Sequence, residues 1–258
     1  MLKALLWDVD GTLAETERDG HLVAFNLAFE RLGLPWRWSE TRYGDLPKVA
    51  GGRARLLADL AHQPEAPRDP AERAALVERI HPLKNALYPD LVRGAGLPLR
   101  DGVAALLDEC AAARMPMAIV TTTSRANVDA LLGARVGSGW SDAFATVVCA
   151  EDAPVKKPDP QACRMALARL GLKGAETLAA EDSPAGVRAA RAAGVPVIVT
   201  RSHYFFDADV AGALAVGPSL GTIDGWLPAV APRALARVGL EALTRWHGQS
   251  STCRGGTS

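Results

Sequence analysis

The sequence is poor in what several classes of protein need. Its four cysteines, Cys110, Cys149, Cys163 and Cys253, are scattered, with no C-x-x-C pair. That argues against a disulfide scaffold or a zinc ribbon and fits a reducing compartment. The five histidines are equally dispersed. Neither sign of charge is in excess, since 29 Lys and Arg balance 29 Asp and Glu. There is thus no electrostatic case for a nucleic-acid or anionic-membrane partner. No apolar run approaches the roughly 18 residues of a membrane span. The first apolar run is broken at Asp8, too early for a signal peptide. A cytoplasmic monomer is the expectation.

What is present is a soluble globular composition, 48% apolar and 22% charged over 258 residues. That length holds one large domain or two unequal ones. Short apolar runs read as buried strands at 4–7, 115–120, 145–150, 176–180, 195–199 and, less clearly, 213–216. Helical patterns at 101–114, 125–136, 159–171 and 183–194 alternate with them. The last has Ser183 as N-cap, Pro184 at the first helical position and a closing Gly194. Alternation of this kind predicts the α/β class, a Rossmann-like, mainly parallel sheet. Residues 15–96 interrupt it with helical patterns, among them the stripe Leu22, Phe25, Phe29 and Leu32. They are expected to form a small helical cap (15–96) inserted into a core (1–14 and 97–247). The apolar-poor tail 248–258 is expected to be disordered.

In open parallel sheets, ligands bind beyond the carboxyl ends of the strands. The unusual polar residues recur at those ends: Asp8-Val9-Asp10-Gly11-Thr12, then Thr121-Thr122-Thr123-Ser124, then Lys156-Lys157-Pro158, then Glu181-Asp182-Ser183. Adjacent parallel strands would bring them together. Crowded carboxylates repel by about 4 kcal/mol per close pair at an effective dielectric near 20. A hard dication removes that cost, and an oxygen-only donor set suits Mg2+. A magnesium ion held on one carboxylate-rich face commonly awaits a phosphate. Lys157 would neutralise a phosphate oxygen, and the Thr121 hydroxyl would donate to it. A metal-bound Asp8 stays ionised and can attack phosphorus. A protonated Asp10 can hand its proton to the leaving alkoxide, so the two form a coupled nucleophile and acid.

Other readings explain less. A calcium loop starting at Asp8 would need Gly at 13 and Glu at 19, where the chain has Leu13 and Asp19. Helix capping accounts for Ser183 but not for Glu181 and Asp182. Lys156 reads as a solvated charge. The run Gly217-Pro218-Ser219-Leu220-Gly221, followed by Asp224 and His247, matches a serine-hydrolase pattern, but Pro218 and the lack of a following helix pattern do not suit a nucleophile elbow.

The four motifs, in this order and spacing, resemble those of haloacid-dehalogenase-superfamily phosphohydrolases over residues 1 to 235 or so. That resemblance implies Asp8 as nucleophile and Asp10 as acid and base. It implies Thr121 and Lys157 on the phosphoryl group, with Asp8, the Asp10 backbone carbonyl, Glu181 and Asp182 serving Mg2+. The stretches "DVDGTLAETERDGHLVAFNLAF", "GGRARL", "LKNALYPDLV", "LPLRDGV" and "TTTS" are similar to the CbbY subgroup. Its members are associated with Rubisco and remove the 1-phosphate of xylulose-1,5-bisphosphate, an inhibitory by-product. This implies a small phosphorylated sugar as substrate. Glu17, His21, Arg53, Lys84, Thr122 and Thr123 would hold the sugar and its distal phosphate. Arg53 stands where a lysine is expected, and a guanidinium still supplies a phosphate-binding cation. A sugar phosphomutase like β-phosphoglucomutase, a phosphatase of another small sugar phosphate or of phosphoglycolate, and a non-catalytic binding protein are the alternatives.

Overall fold

The computed structural model describes residues 1–49, 51–229 and 236–252. Six strands form one parallel sheet in the order β3-β2-β1-β4-β5-β6. They are β1 (Ala4–Trp7), β2 (Met117–Val120), β3 (Thr146–Val148), β4 (Thr177–Glu181), β5 (Val197–Thr200) and β6 (Ala215–Gly217). Each strand is a short apolar run because both faces of the sheet are covered. Side chains alternate between the faces. Leu5, Trp7, Met117, Ile119, Leu178, Ala180 and Ile198 enter one cluster, while Leu6, Ala118, Val120, Ala179, Val197 and Val199 enter another. The class expected from the strand–helix alternation is the one found.

Among the described residues, four helices lie between Ala14 and Leu99 in the chain: α1 (Val23–Arg31), α2 (Glu40–Tyr43), α3 (Gly52–Leu60) and α4 (Pro70–Ala95). Five follow: α5 (Val103–Ala112), α6 (Arg125–Arg135), α7 (Gln161–Leu170), α8 (Pro184–Ala192) and α9 (Leu240–Thr252). Buried residues of α5, α6 and α9, such as Leu106, Leu131 and Trp246, cover the first face. Ala166 of α7 and Val187 of α8 cover the second. The result is a three-layer sandwich.

The chain leaves the sheet layer after Ala14 and returns at Leu99, the two residues paired as an antiparallel bridge. Between them, α1–α4 gather a third cluster that includes Phe25, Phe29, Trp38, Leu56 and Ile80. The stripe expected on α1 is its centre, with the Phe29 ring edge-on to Trp38 at 4.9 Å. The start of α4 is fixed by Asp69, whose carboxylate accepts from the amides of Ala71 and Glu72. Its end is fixed by Gly96 in the left-handed region. One turn of π-helix, Glu17–Leu22, precedes α1. Such widened turns gather at functional sites. In this turn Gly20 faces Tyr88 of α4, where a Cβ would lie 3.0 Å from the ring.

Two elements differ from the sequence reading. The helix α2 spans four residues, too few for a periodic pattern. The helix α9 runs through residues 248–252, which were expected to begin the disordered tail. Ala242, Leu243 and Trp246 bury its inner side, and that packing carries the helix past the apolar-poor stretch. Residues 253–258 of the expected tail lie outside the described residues. No helix among the described residues is long and apolar enough to cross a membrane.

Candidate active site

The strand order sets the site. β1 lies between β2 and β4, so the residues just past their carboxyl ends are neighbours. Asp8 follows β1, Thr121 follows β2, and Glu181 ends β4 with Asp182 next. Lys157 reaches in from the loop after β3. Its Nζ donates to Asp8 Oδ1 at 2.7 Å, Glu181 Oε1 at 2.5 Å and the Val120 carbonyl at 2.9 Å. Oxygens of Asp8, Glu181 and Asp182 all lie within 4.8 Å of one another. All four side chains are buried, as is Thr121. The Thr121 hydroxyl accepts from the Thr123 amide at 3.2 Å, and Thr123 is itself held by Asn127 at 2.9 Å. The expected convergence is present.

The electrostatics describe a site short of positive charge. Burial pushes the Asp8 carboxyl up to about 8; Lys157 opposes this, and Glu181 and Asp10 add to it. Burial, then Asp8 and Glu181, raise Asp182 well above the usual carboxylate range. One lysine thus faces three buried carboxyl groups. The donor set is all oxygen and under-neutralised, which fits a hard divalent cation.

Asp10 is arranged differently. Its carboxylate turns toward the helical segment, accepting from Thr16 Oγ1 at 2.5 Å and lying 3.1 Å from His21 Nε2. Burial would raise its pKa, but His21, Thr16 and Arg55 hold it down at about 2. The donors around Asp10 favour its charged form, so it must take up a proton before it can act as the acid of the sequence reading. His21 Nδ1 in turn lies 2.8 Å from Lys84 Nζ. An ammonium only donates, so Nδ1 accepts and Nε2 carries the proton given to Asp10. Burial lowers the Lys84 ammonium to about 8, against the pull of Asp10 and Glu17.

A cavity of about 540 Å3 opens between the helical segment and the strand ends. Glu17, His21, Arg53 and Lys84 line one side, and Thr122 and Thr123 the other. All six expected substrate contacts therefore face one space. Arg53 sits at its rim, half-exposed and paired with Glu78 at 2.8 Å. Glu17 is buried, not free to face a ligand alone: it forms a two-pronged pair with Arg55 at 2.6 and 2.7 Å and accepts from Tyr43 Oη at 2.6 Å.

Sequence reasoning missed Arg55, which lies two residues past Arg53 in the same glycine-led stretch and is the buried one of the two. Lys156, read as solvated, lines the cavity and donates to the carbonyls of Ala150 and Ala153 at 2.6 and 3.0 Å. Arg100 was also missed. Its guanidinium donates to the carbonyls of Gly11 and Arg201 and to Thr200 Oγ1, and pairs with Glu15 at 3.2 Å. It ties the loop after β1 to the end of β5. The serine-hydrolase pattern does not assemble: Ser219 Oγ donates to Asp101 at 3.0 Å, while His247 Nε2 lies 2.9 Å from the Ala175 carbonyl.

Comparison with known proteins agrees with this geometry. The family model described as haloacid dehalogenase-like hydrolase matches residues 2–194. The plasmid-encoded protein CbbY of Cupriavidus necator is 43% identical over 248 residues, covering 95% of this chain and 97% of that one. A crystal structure of a CbbY variant from Rhodobacter sphaeroides in complex with xylulose-1,5-bisphosphate superposes with a TM-score of 0.82 at 33% identity, over 94% of this chain and 99% of that one. The same protein in complex with phosphate gives the same score over 95% of this chain.

Proposed function

This chain belongs to the haloacid dehalogenase-like hydrolase family, and on that premise we propose that it is a phosphatase converting xylulose-1,5-bisphosphate to xylulose 5-phosphate and phosphate. One observation carries the reading. Asp10 and Thr122, near neighbours in the chain of Asp8 and Thr121 at the buried Asp8, Lys157, Glu181 and Asp182 cluster, line a cavity that also carries the cations Arg53, Arg55 and Lys84. Such a space suits a small molecule with a phosphate at each end. The CbbY relative bound to that bisphosphate supports the choice of sugar. Removal of a Rubisco inhibitor is the cellular role this implies.

Asp8 is the nucleophile. Its carboxylate oxygen attacks phosphorus, the bond from phosphorus to the sugar oxygen breaks, and Asp10 gives the leaving alkoxide a proton. Asp10 then takes a proton from water, whose oxygen attacks the aspartyl phosphate. The acyl phosphate bond breaks, returning the Asp8 carboxylate and releasing phosphate. For the first step Asp10 leaves its bonds to Thr16 and His21 and takes up a proton from solvent; in later turnovers it starts with the proton taken from the attacking water. Thr121 and Lys157 hold the phosphoryl oxygens. Glu17 with Arg55, His21, Arg53, Lys84, Thr122 and Thr123 bind the sugar and the distal phosphate. The helices of residues 15–96 act as the cap that keeps other water out. Asp8, Glu181, Asp182 and the Asp10 backbone carbonyl would hold Mg2+. When bound, the cation supplies positive charge that lets the carboxylates and the phosphoryl group approach one another.

The test is phosphate release from sugar phosphates with Mg2+. Xylulose-1,5-bisphosphate should be preferred over ribulose-1,5-bisphosphate, and β-glucose 1-phosphate should give no glucose 6-phosphate. Asp8→Asn should lower release by ~10^3-fold or more. A preference for ribulose-1,5-bisphosphate would overturn the substrate reading, and full activity of Asp8→Asn would overturn the mechanism.

A further inference from the structure

The cluster inside α1–α4 takes one aromatic from elsewhere in the fold. Among the residues packed against it, Tyr204, in the loop after β5, is the one from outside residues 22–87. Its ring lies 5.6 Å from that of Tyr43 at 59°. Gly44 lies beside the same ring: a Cβ there would touch Tyr204 Cδ1 at 3.6 Å, an ordinary van der Waals contact. The Tyr204 hydroxyl is buried and makes no hydrogen bond. The contact is therefore made by the ring.

What Tyr204 touches leads directly to the cavity. Tyr43 is fully buried. Its hydroxyl donates to Glu17 Oε2 at 2.6 Å and accepts from Arg55 Nη1 at 3.0 Å. Glu17 and Arg55 line the cavity.

The residues just before Tyr204 tie it to the catalytic end. Ser202 Oγ donates to Asp182 Oδ2 at 2.6 Å. The His203 amide donates to Glu15 Oε2 at 3.3 Å, and the other Glu15 oxygen pairs with Arg100. Three consecutive residues thus contact the carboxylate cluster, the connection out of β1 and the helical cluster. Further attachments run through α4, whose Tyr88 and Val92 join the sheet-side cluster, and through Ala24 of α1.

We propose that Tyr204 is a positioning residue for the bisphosphate: its ring seats Tyr43, and thereby holds the Glu17–Arg55 wall at a set distance from Asp8. The inference rests on the reading of this cavity as a sugar-bisphosphate site. It assigns a residue of the sheet domain to substrate selectivity without any contact to substrate.

The full chain with Mg2+ is assayed as wild type, Tyr204→Ala and Tyr204→Phe, on xylulose-1,5-bisphosphate and on acetyl phosphate, which is too small to reach the far wall. Loss of one aromatic contact should raise KM for the bisphosphate in Tyr204→Ala by about tenfold. The rate on acetyl phosphate should be unchanged. Tyr204→Phe should behave as wild type, because the hydroxyl has no partner. An unchanged KM in Tyr204→Ala, equal losses on both substrates, or a Tyr204→Phe as impaired as Tyr204→Ala would each overturn the proposal. Hydrogen exchange without substrate is the second readout. Amides of 17–22 and 52–60 should exchange faster in Tyr204→Ala only, with β4 and β5 unchanged. Unaltered exchange there overturns the proposal whatever the substrate is. If the wild type ignores the bisphosphate but exchange still responds, the substrate reading alone fails. Should the alanine variant not fold, Tyr204→Leu, which keeps apolar volume without a flat ring, takes its place under the same criteria.

Discussion

Asp8 and Asp10 stand two residues apart and have opposite surroundings. Asp8 shares its oxygens with one lysine and two further carboxyls, and burial raises it to about 8. Asp10 is met by Thr16 and His21 and falls to about 2. Below pH 8 the metal-free Asp8 carboxyl therefore carries a proton, and a cation ligand must lose it. Binding of Mg2+ at pH 7 should release protons, from Asp8 and from the similarly raised Asp182, and the Asp8 share should fall as pH rises past about 8. Calorimetry in buffers of different ionisation enthalpy measures this, and no release at pH 7 would contradict the account of the cluster. Lys84 gives a second pH dependence. It is charged below about 8 and neutral above. If its charge holds the distal phosphate, KM for a bisphosphate should rise as pH passes 8. Lys84→Arg, which stays charged, should abolish that rise. A rise that persists in the arginine variant would assign it to another group.

The helix α8 shows how an element can build a site without lending a functional side chain. Gly186, in its first turn, faces the Glu181 carboxyl; a Cβ there would lie 2.0 Å from both Glu181 oxygens. The clash is with a side chain that is itself fixed by Lys157, so Gly186→Ala should push the carboxylate out of the cluster while leaving the helix intact. Mg2+ affinity should fall about 10–100-fold, as for other residues that orient a ligand. Titration of the folded variant measures it, and unchanged affinity would mean that Glu181 does not reach the ion directly or through water. The sequence shows Gly186 but not what it faces. Strands and the motifs at their ends were legible because buried parallel strands read as short apolar runs, and their polar ends stand out. The remainder depends on placement. Glu17 and Arg55 are 38 residues apart, and nothing local pairs them. Arg100 looks like a surface charge until the turns after β1 and β5 close around it. The widened turn at 17–22 has no composition of its own. The ionised state of Asp10 follows from where its side chain points, which no spacing encodes.

At the scale of the whole molecule, the three hydrophobic clusters among the described residues divide the work. Two cover the faces of the sheet and fix the strand ends, hence Asp8, Lys157, Glu181 and Asp182. The third lies within α1–α4 and fixes the far wall of the cavity. The attachments between them are few: α4 through Tyr88 and Val92, Ala24 of α1, and Tyr204 from the other side. A defect inside the third cluster should therefore loosen the wall and leave the sheet alone. Phe29 is the residue to test, since it is 1% exposed and packs edge-on against both Trp36 and Trp38. Phe29→Ala should cost about 3–5 kcal/mol of local stability. Hydrogen exchange should quicken across residues 23–60 while amides of β1, β4 and β5 keep their protection. Substrate should restore much of the lost protection, because it binds only the assembled wall. The consequence for activity follows from the same division: KM for the bisphosphate should rise, and turnover of acetyl phosphate, which needs only the strand ends, should hold. If instead all strands lost protection together, the helical cluster and the sheet would be one cooperative unit. Selectivity could then not be tuned within α1–α4 without a cost to the carboxylate cluster at the strand ends.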